Sequence, residues 1–523
     1  MVSGGNTDKF PLDLWIQSAK NLPWKEGQPI SDKALNFLTQ IYNVLDPSSF
    51  DQFQQDDVAL WARDFWMWSA SRPGVGAKIQ TRRAVGASGN PLPYSLLEIV
   101  GPDMPFLVAS VTGACQNLNI NPVLVIHPIV DIDRDEDGNR IESGSAVRES
   151  CILIVLDLLD DAARKTLENE VRDTLKDIQL SVQDYFAMHG QMKQAAIDVA
   201  SNQFVSQDKA AEAADFLKWL ADEHFIFLGC RHYRFVRKDD GSLAQEEPEI
   251  VQGTSLGILR DQDRFILSRG HEPTSITPQI SEFLGEPDPI IVSKSSNPSR
   301  VHRRVAADYI GVKQYANDGQ VIGEIRFTGL FTADAYNRMA REVPLIRRKV
   351  SHVISTAGKR PGSHDANALK HILETYPRDE LFQMSELDLL DVSLAILQLE
   401  NRKETRLFVR KDRFNRFISA LVFVPKESFN TELRSRIGAI LEKAYGGRLT
   451  AFYPKLSEAP LARIHFLVDI DQNHPEPDID ELEAEIARVS RSWNDRMRAL
   501  VRVQRAELSP RLSENLLTDA FNL

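Results

Sequence analysis

Cysteine is scarce: the 523 residues hold only 3, Cys115, Cys151 and Cys230, odd in number and far apart. That excludes a disulfide-stapled secreted framework and a thiolate zinc site, and fits reduced thiols in a cytoplasmic protein. Excess positive charge is also missing. The 62 Lys and Arg against 74 Asp and Glu leave a net charge of −12, which sets the chain against phosphate backbones and anionic membrane surfaces. Long apolar runs are lacking too. The longest uncharged stretch, Met104 to Val130, is interrupted by Gln116, Asn117, Asn119, Asn121, Pro122 and His127, and the opening MVSGGNTDKF has neither a basic nor an apolar region. Neither segment reads as a membrane span or an export signal. Glycine (27) and proline (26) are not in excess, which excludes collagen-like and low-complexity classes.

Sequence signatures of catalysis are absent as well. There is no Walker A loop, no His-Glu-x-x-His and no Gly-x-Ser-x-Gly, and the 11 histidines show no zinc-like spacing; His364 and His371 read as ordinary surface or core positions. The nearest approach to a dinucleotide loop, Gly74-Val75-Gly76-Ala77-Lys78-Ile79, lacks the third glycine and a preceding strand. No catalytic, cofactor-binding or metal residue is therefore assigned.

What is present is ordinary globular material, 42% hydrophobic and 26% charged, long enough at about 150 residues per domain for three or four domains. Residues 1–90 read as an N-terminal helical region, interrupted near Pro47, with Trp61, Phe65 and Trp68 on one face that suits core better than a base-stacking platform. A Gly- and Pro-rich loop then leads to a boundary near residue 90. Residues 91–185 follow the order βαββα: a strand at SLLEIV, a helix opening at Pro105, strands at PVLVIHPIV and SCILIVLDL, and a helix carrying Leu167, Val171, Leu175 and Ile178, with a closing strand expected near Gln179 to Val182. Residues 186–224 form a helical linker. Residues 225–332 are β-rich and mostly antiparallel, with hairpin turns at Asp240-Gly241 and Asp318-Gly319. Residues 333–404 are helical. Residues 405–523 repeat βαββα: FISALVFVP, a helix capped by Asn430 and stopped at Gly446-Gly447, strands at LTAFY and LARIHFLVDI, and a helix capped by Asp478 that carries Leu482, Ile486, Val489, Trp493, Met497 and Leu500. The fold class is α+β, multidomain, with two ferredoxin-like units. No β-rich run follows the last helix, so the second unit reads as incomplete at its C-terminus and the length as a truncation.

Three clusters invite functional readings. Asp133, Asp135, Asp137 and Gly138 occupy positions 1, 3, 5 and 6 of a calcium loop, but position 12 is Gly144 and the flanks are strands, so an acidic hairpin turn is the better account. Asp222, Glu223 and His224 are helix neighbours that point apart, unsuited to acid/base work. Basic residues gather at Arg303-Arg304, at Arg347-Arg348-Lys349, and at Arg488, Arg491, Arg496, Arg498 and Arg502. A ferredoxin-like sheet could use them on RNA, but the candidate strands are aliphatic and the chain acidic.

Five blocks carry a resemblance: DMPFLVAS (103–110), SRVHRRVAADYIGVKQY (299–315), GQVIGEIRFTGLFTADAY (319–336), LETYPRDELFQ (373–383) and RLFVRKDRFNRFISALVFVPKESFNTELR (406–434). In this order they resemble the large bacterial NAD-specific glutamate dehydrogenase family, from about residue 30 onward. The resemblance implies that the βαββα units are ACT-like domains, that 225–332 is PAS-like, and that the chain is an N-terminal portion without the catalytic domain. For the complete enzyme it implies NAD-linked oxidation of L-glutamate to 2-oxoglutarate and ammonium, with no cofactor bound by this chain. The implied setting is a cytoplasmic homo-oligomer with an amino-acid effector and with no nucleic-acid or membrane partner. Ala109 stands where the family usually has a second Asp. Pro105 and Phe106 stand where amino-acid-binding ACT domains place a glycine for a ligand carboxylate, which argues against a ligand there. The competing reading is a stand-alone ACT-type amino-acid sensor or interaction protein.

Overall fold

The computed structural model describes residues 12–491, apart from 23, 25–29, 46–51, 142–145, 238–247, 265, 270–271, 274–280, 282–283, 285, 287, 400–403, 458 and 472–473. The expected turn at Asp240-Gly241, position Gly144 of the acidic loop, and Trp493, Met497 and Leu500 lie outside the described residues.

Helices α1 (Leu12–Asn21), α2 (Asp32–Val44) and α3 (Gln55–Trp68) lead into β1 (Lys78–Val85) and β2 (Pro91–Pro102), then α4 (Leu107–Asn117), β3 (Pro122–Ile126), β4 (Ile129–Arg134), β5 (Arg140–Ile141), β6 (Val147–Asp157) and α5 (Asp161–Gln183). The sheet order is β1-β2-β6-β4-β5, with β3 also on β6. SLLEIV, interrupted only by Glu98, and the CILIVL of SCILIVLDL read as near-continuous apolar runs because both faces of this sheet are covered. Leu96, Val100, Leu153 and Val155 meet Trp61, Phe65 and the other N-terminal helical residues. The alternate residues Leu97, Ile99, Ile152 and Ile154 meet α4 and α5. The Trp61 face is thus core.

Two expectations are corrected here. Gln179 to Val182 forms no strand; it continues α5, whose Ile178 and Ser181 stay buried. The place beside β2 is taken instead by β1, antiparallel and in register from Lys78↔Val100 to Arg83↔Ser95. The sheet therefore reaches back across the expected boundary at residue 90.

After α6 (Tyr185–Ala200) and α7 (Gln207–Trp219) come β7 (Phe225–Arg234), the short β8 (Glu249–Ile250), β9 (Leu256–Gly257), β10 (Ser268–Arg269) and β11 (Glu272–Pro273), and the long β12 (Ile290–Pro298), β13 (Ala306–Tyr315) and β14 (Val321–Phe331). The central sheet runs β12-β13-β14-β7-β8 and is antiparallel throughout, with Gly319 supplying a φ of 84 at the expected Asp318-Gly319 turn. Helices α8 (Ala333–Asn337), α9 (Ile346–Thr356), α10 (His364–Thr375), α11 (Arg378–Gln383) and α12 (Glu386–Leu399) follow. Within the expected helical stretch 333–404, the chain is broken between Arg338 and Leu345, where Leu345 takes a φ of 68.

The last unit comprises β15 (Arg406–Lys411), β16 (Phe417–Pro425), α13 (Thr431–Tyr445), β17 (Leu449–Lys455), β18 (Leu461–Asp469) and α14 (Ile479–Ser490), with sheet order β15-β16-β18-β17. As in the first unit, a hairpin arm preceding the ferredoxin-like order fills the edge that a closing strand would take. The missing C-terminal β-run therefore says nothing about where the chain stops, and the reading of the sheet as incomplete is corrected. Asn430 accepts the Leu433 N–H at 2.8 Å, and Asp478 accepts those of Asp480 and Glu481 at 2.9 and 3.1 Å, as expected of N-caps. At the end of α13, Gly446 has a φ of 64 and a side chain on Gly447 would sit 1.7 Å from the Asp469 carbonyl oxygen. Gly447→Ala is expected to cost this unit about 1–3 kcal/mol, because backbone would have to move. A urea titration finding its stability unchanged would show that the turn opens freely.

The core is continuous from unit to unit. One cluster joins α6, α7, the central sheet and the helical segment to Leu421, Phe423 and Leu461 of the last sheet. Another joins α4 and α5 to Leu228, Ala307 and Leu330 of the central sheet and to Val301 of the loop between β12 and β13.

Candidate functional site

The sequence-stated clusters resolve into structural roles. Asp135 closes the β4–β5 hairpin, its carboxylate accepting the Asn139 N–H at 2.7 Å, while Asp133 pairs with Lys33 at 2.6 Å. His224 stacks on Trp219 with ring centroids 4.3 Å apart and donates to its carbonyl at 2.8 Å, and Glu223 turns away with a φ of 64. Members of the first two basic runs are engaged internally, while Arg496, Arg498 and Arg502 of the third lie outside the described residues. Arg303 donates to the Phe331 carbonyl at 2.6 Å, Arg347 to Glu212 at 2.7 Å, and the Lys349 ammonium to the carbonyls of Leu381, Phe382 and Met384 at 3.1, 2.7 and 2.8 Å. Among the described residues no group of three or more His, Cys, Asp or Glu could hold a metal ion.

The helix entrance at Pro105-Phe106 is covered. Phe106 takes a left-handed φ of 70, a conformation that glycine adopts more readily than a residue with a side chain. Its ring lies 5.3 Å from that of His302, and Ser110 Oγ accepts the His302 N–H at 2.8 Å. The turn carrying Val301, His302 and Arg303 therefore packs against the entrance of α4.

Polar groups converge elsewhere. A cavity of about 420 Å³ opens between α5 and the central sheet, lined by Glu170 and Asp177 on one side and by Asp261, Asp263, Arg264, Arg300 and Arg304 on the other. Its wall is built on purpose-like fixings: Arg231, fully buried, donates to the Asp261 carbonyl at 2.8 Å, to the Arg264 carbonyl at 3.2 Å and to Ser255 Oγ at 3.0 Å. Asp184, at the end of α5, receives the Gly257 N–H at 2.7 Å and the Arg260 guanidinium at 2.5 and 2.8 Å. Inside, Arg264 bonds Asp177 at 3.0 Å, and Arg304 bonds Thr174 Oγ1 at 3.0 Å with Glu170 at 2.6 Å. Arg300 stands 3.5 Å from Glu170, 3.6 Å from Asp173 and 3.9 Å from Asp177, too long for a good hydrogen bond to any of them. Burial pushes the Asp177 carboxyl up, against the pull of Arg264 and Arg300.

The sequence reading did not single out this site, apart from Arg304 in a basic pair. A signal existed: Glu170, Asp173 and Asp177 repeat at three and four, an acidic stripe beside the apolar Leu167, Val171, Leu175 and Ile178. Nothing local pairs that stripe with arginines 87 to 130 residues further along.

Two other clusters bind the units together. Between the central sheet and α11, Lys294 Nζ reaches Asp308 at 2.6 Å and Asp379 at 2.9 Å, and Tyr336 donates to Asp379 at 3.1 Å. Between α11 and the last sheet, Glu380 accepts two bonds from Arg410 at 2.7 and 2.8 Å, with Gln383 accepting a third at 2.9 Å.

Comparison with known proteins places these units. Residues 37–171 match the glutamate dehydrogenase ACT1 domain, 343–402 its helical motif 1, and 406–494 its ACT2 domain. The chain is similar to the NAD-specific glutamate dehydrogenases of Halomonas elongata (34% identical over 414 residues, 77% of this chain and 25% of the relative), Pseudomonas aeruginosa (29% over 422, 78% and 25%) and Mycobacterium tuberculosis (28% over 426, 77% and 25%). It thus spans about a quarter of the length of the curated relatives it matches. The chain belongs to the large NAD-specific glutamate dehydrogenase family, of which it carries the ACT1, first helical-motif and ACT2 segments.

Proposed function

We propose that this chain is the N-terminal regulatory and assembly-forming portion of an NAD-dependent glutamate dehydrogenase, working in a cytoplasmic homo-oligomer. In the complete enzyme NAD would oxidise L-glutamate to 2-oxoglutarate and ammonium, and the central antiparallel sheet would be its PAS-like unit. The observation that carries this reading is the matching of both ACT domains and the helical motif on a chain whose units share continuous cores. Regulation needs two sites and an element that both bias, and packed interfaces of this kind supply such an element. The edge strand β17, with Phe452 and Tyr453 exposed, supports self-association. No described helix is long and apolar enough to cross a membrane.

Purified chain mixed with L-glutamate and NAD is expected to form no NADH above the protein-free blank, and to sediment as an oligomer. Sustained turnover would overturn the regulatory reading.

A further inference from the structure

We infer that the cavity between α5 and the central sheet binds a free α-amino acid, its carboxylate on Arg300 and its ammonium on the Asp261 and Asp263 side. The inference deepens the regulatory reading above and rests on it for its biological meaning.

Size and sign both lead to this class of ligand. About 420 Å³ is near the small end of the range for small-molecule sites, roughly 300–1,000 Å³, and suits a metabolite of amino-acid size. The lining carries the guanidiniums of Arg264, Arg300 and Arg304 and the carboxylates of Glu170, Asp177, Asp261 and Asp263. A simple anion would face more carboxylates than arginines, and a simple cation would face three guanidiniums. An apolar guest would strip water from charges and return no hydrogen bonds. A zwitterion meets both signs.

The arginines are not equivalent. Arg264 and Arg304 already have close carboxylate partners at 3.0 and 2.6 Å, whereas Arg300 sits among three carboxylates at 3.5–3.9 Å without a close bond to any. Its planar fork is the group positioned to take an added carboxylate in bidentate fashion. Asp261 and Asp263 lie at the exposed end of the wall, open to an ammonium. The wall itself is pinned by Arg231 and Asp184, so the binder is largely preformed and little ordering is needed. Because α5 belongs to the first ACT sheet and the arginines to the central domain, a bound amino acid would bridge the two and favour one arrangement of them.

The test is isothermal titration of the purified 523-residue chain with L-glutamate, L-aspartate and L-glutamine, and with 2-oxoglutarate, which lacks the ammonium. At least one of the amino acids is expected to bind, with 2-oxoglutarate at least tenfold weaker. Arg300→Met is expected to weaken binding at least tenfold and Arg300→Lys to recover part of it. Asp263→Asn, at an exposed position that leaves folding intact, is expected to weaken the amino acid and spare any residual 2-oxoglutarate binding. Absence of heat with all three amino acids, 2-oxoglutarate binding as tightly as glutamate, or unaltered affinity in both the Arg300→Met and Asp263→Asn chains would overturn the assignment. The regulatory reading would survive any of these results, since it is judged by turnover.

Discussion

Replacing Lys294 with methionine is expected to cost the contact between the central sheet and α11 about 3–5 kcal/mol, the usual loss when one partner of a buried ion cluster is removed. Lys294, Asp308 and Asp379 are almost wholly withdrawn from water, at 9%, 2% and 18% side-chain exposure. Burial works against the Lys294 ammonium, but the two carboxylates overcome it and keep its proton bound well above the ordinary lysine range. Methionine fills similar volume and leaves two carboxylates facing one another. Burial already pushes the Asp308 carboxyl up, to about 6, despite the pull of Lys294, and loss of the ammonium pushes it further. A carboxyl whose folded-state pKa is raised binds its proton in the native state before it does in the unfolded chain. Stability from that group therefore grows as pH falls, so the variant should be most impaired at neutral pH and recover as pH falls through about 6 towards about 4. Hydrogen exchange of β12, β13 and α11 is the direct measurement. Exchange about 100-fold faster or more corresponds to the expected loss at 1.4 kcal/mol per tenfold. Protection unchanged at pH 7 would show that the cluster does not hold the layers together.

Glu380→Ala is expected to act equally strongly at the other side of α11, again by about 3–5 kcal/mol, because Arg410 would be left buried with only the Gln383 carbonyl and its own backbone neighbourhood. Burial pushes the Glu380 carboxyl up, but the Arg410 guanidinium outweighs this and holds it at about 2. Here the sign is the reverse of Asp308. A depressed carboxyl contributes stability that is complete above its unfolded value, about 4.3, and is lost as pH falls from there towards 2. The wild-type contact between α11 and the last sheet should therefore weaken through that acid window. Glu380→Gln keeps the shape, removes the proton-linked part, and should flatten this slope. The readout is exchange at β15 and β16 as a function of pH. An acid slope identical in wild type and Glu380→Gln would assign it to another group.

Much of the architecture was legible because the periodicities are strong where burial is two-sided. Leu96 and Leu97, or Ile154 and Val155, face opposite layers, so their strands read as near-continuous apolar runs. Caps at Asn430 and Asp478 and the stop at Gly446 were equally plain. The edge arms were not. β1 is KIQTRRAV, mostly half-buried, and β15 is RLFVRK, with Arg406 and Lys411 exposed at its ends. Edge strands carry charge that discourages further pairing, and this dilutes the alternation by which strands are read. Missing them produced both the misplaced boundary at 90 and the expectation of closing strands. The cavity was hidden for a different reason: its acids share one helix face, but its arginines reach it only through the packing of a separate sheet.

The borrowed edge has a mechanical side. A unit closed by a final strand ends inside its own sheet, tethered there. In the first ACT unit the edge is filled in advance, so the chain leaves along α5 instead, 23 residues that rise about 35 Å at 1.5 Å each. That rod starts under the sheet, forms one wall of the charged cavity along its length, and ends at Asp184 bolted to Gly257 and Arg260 of the central domain. Held at Glu170 and Asp177 and again at Asp184, the rod ties the first ACT sheet to the central domain at two separate points, so the two units cannot shift against each other without disturbing the charged cavity.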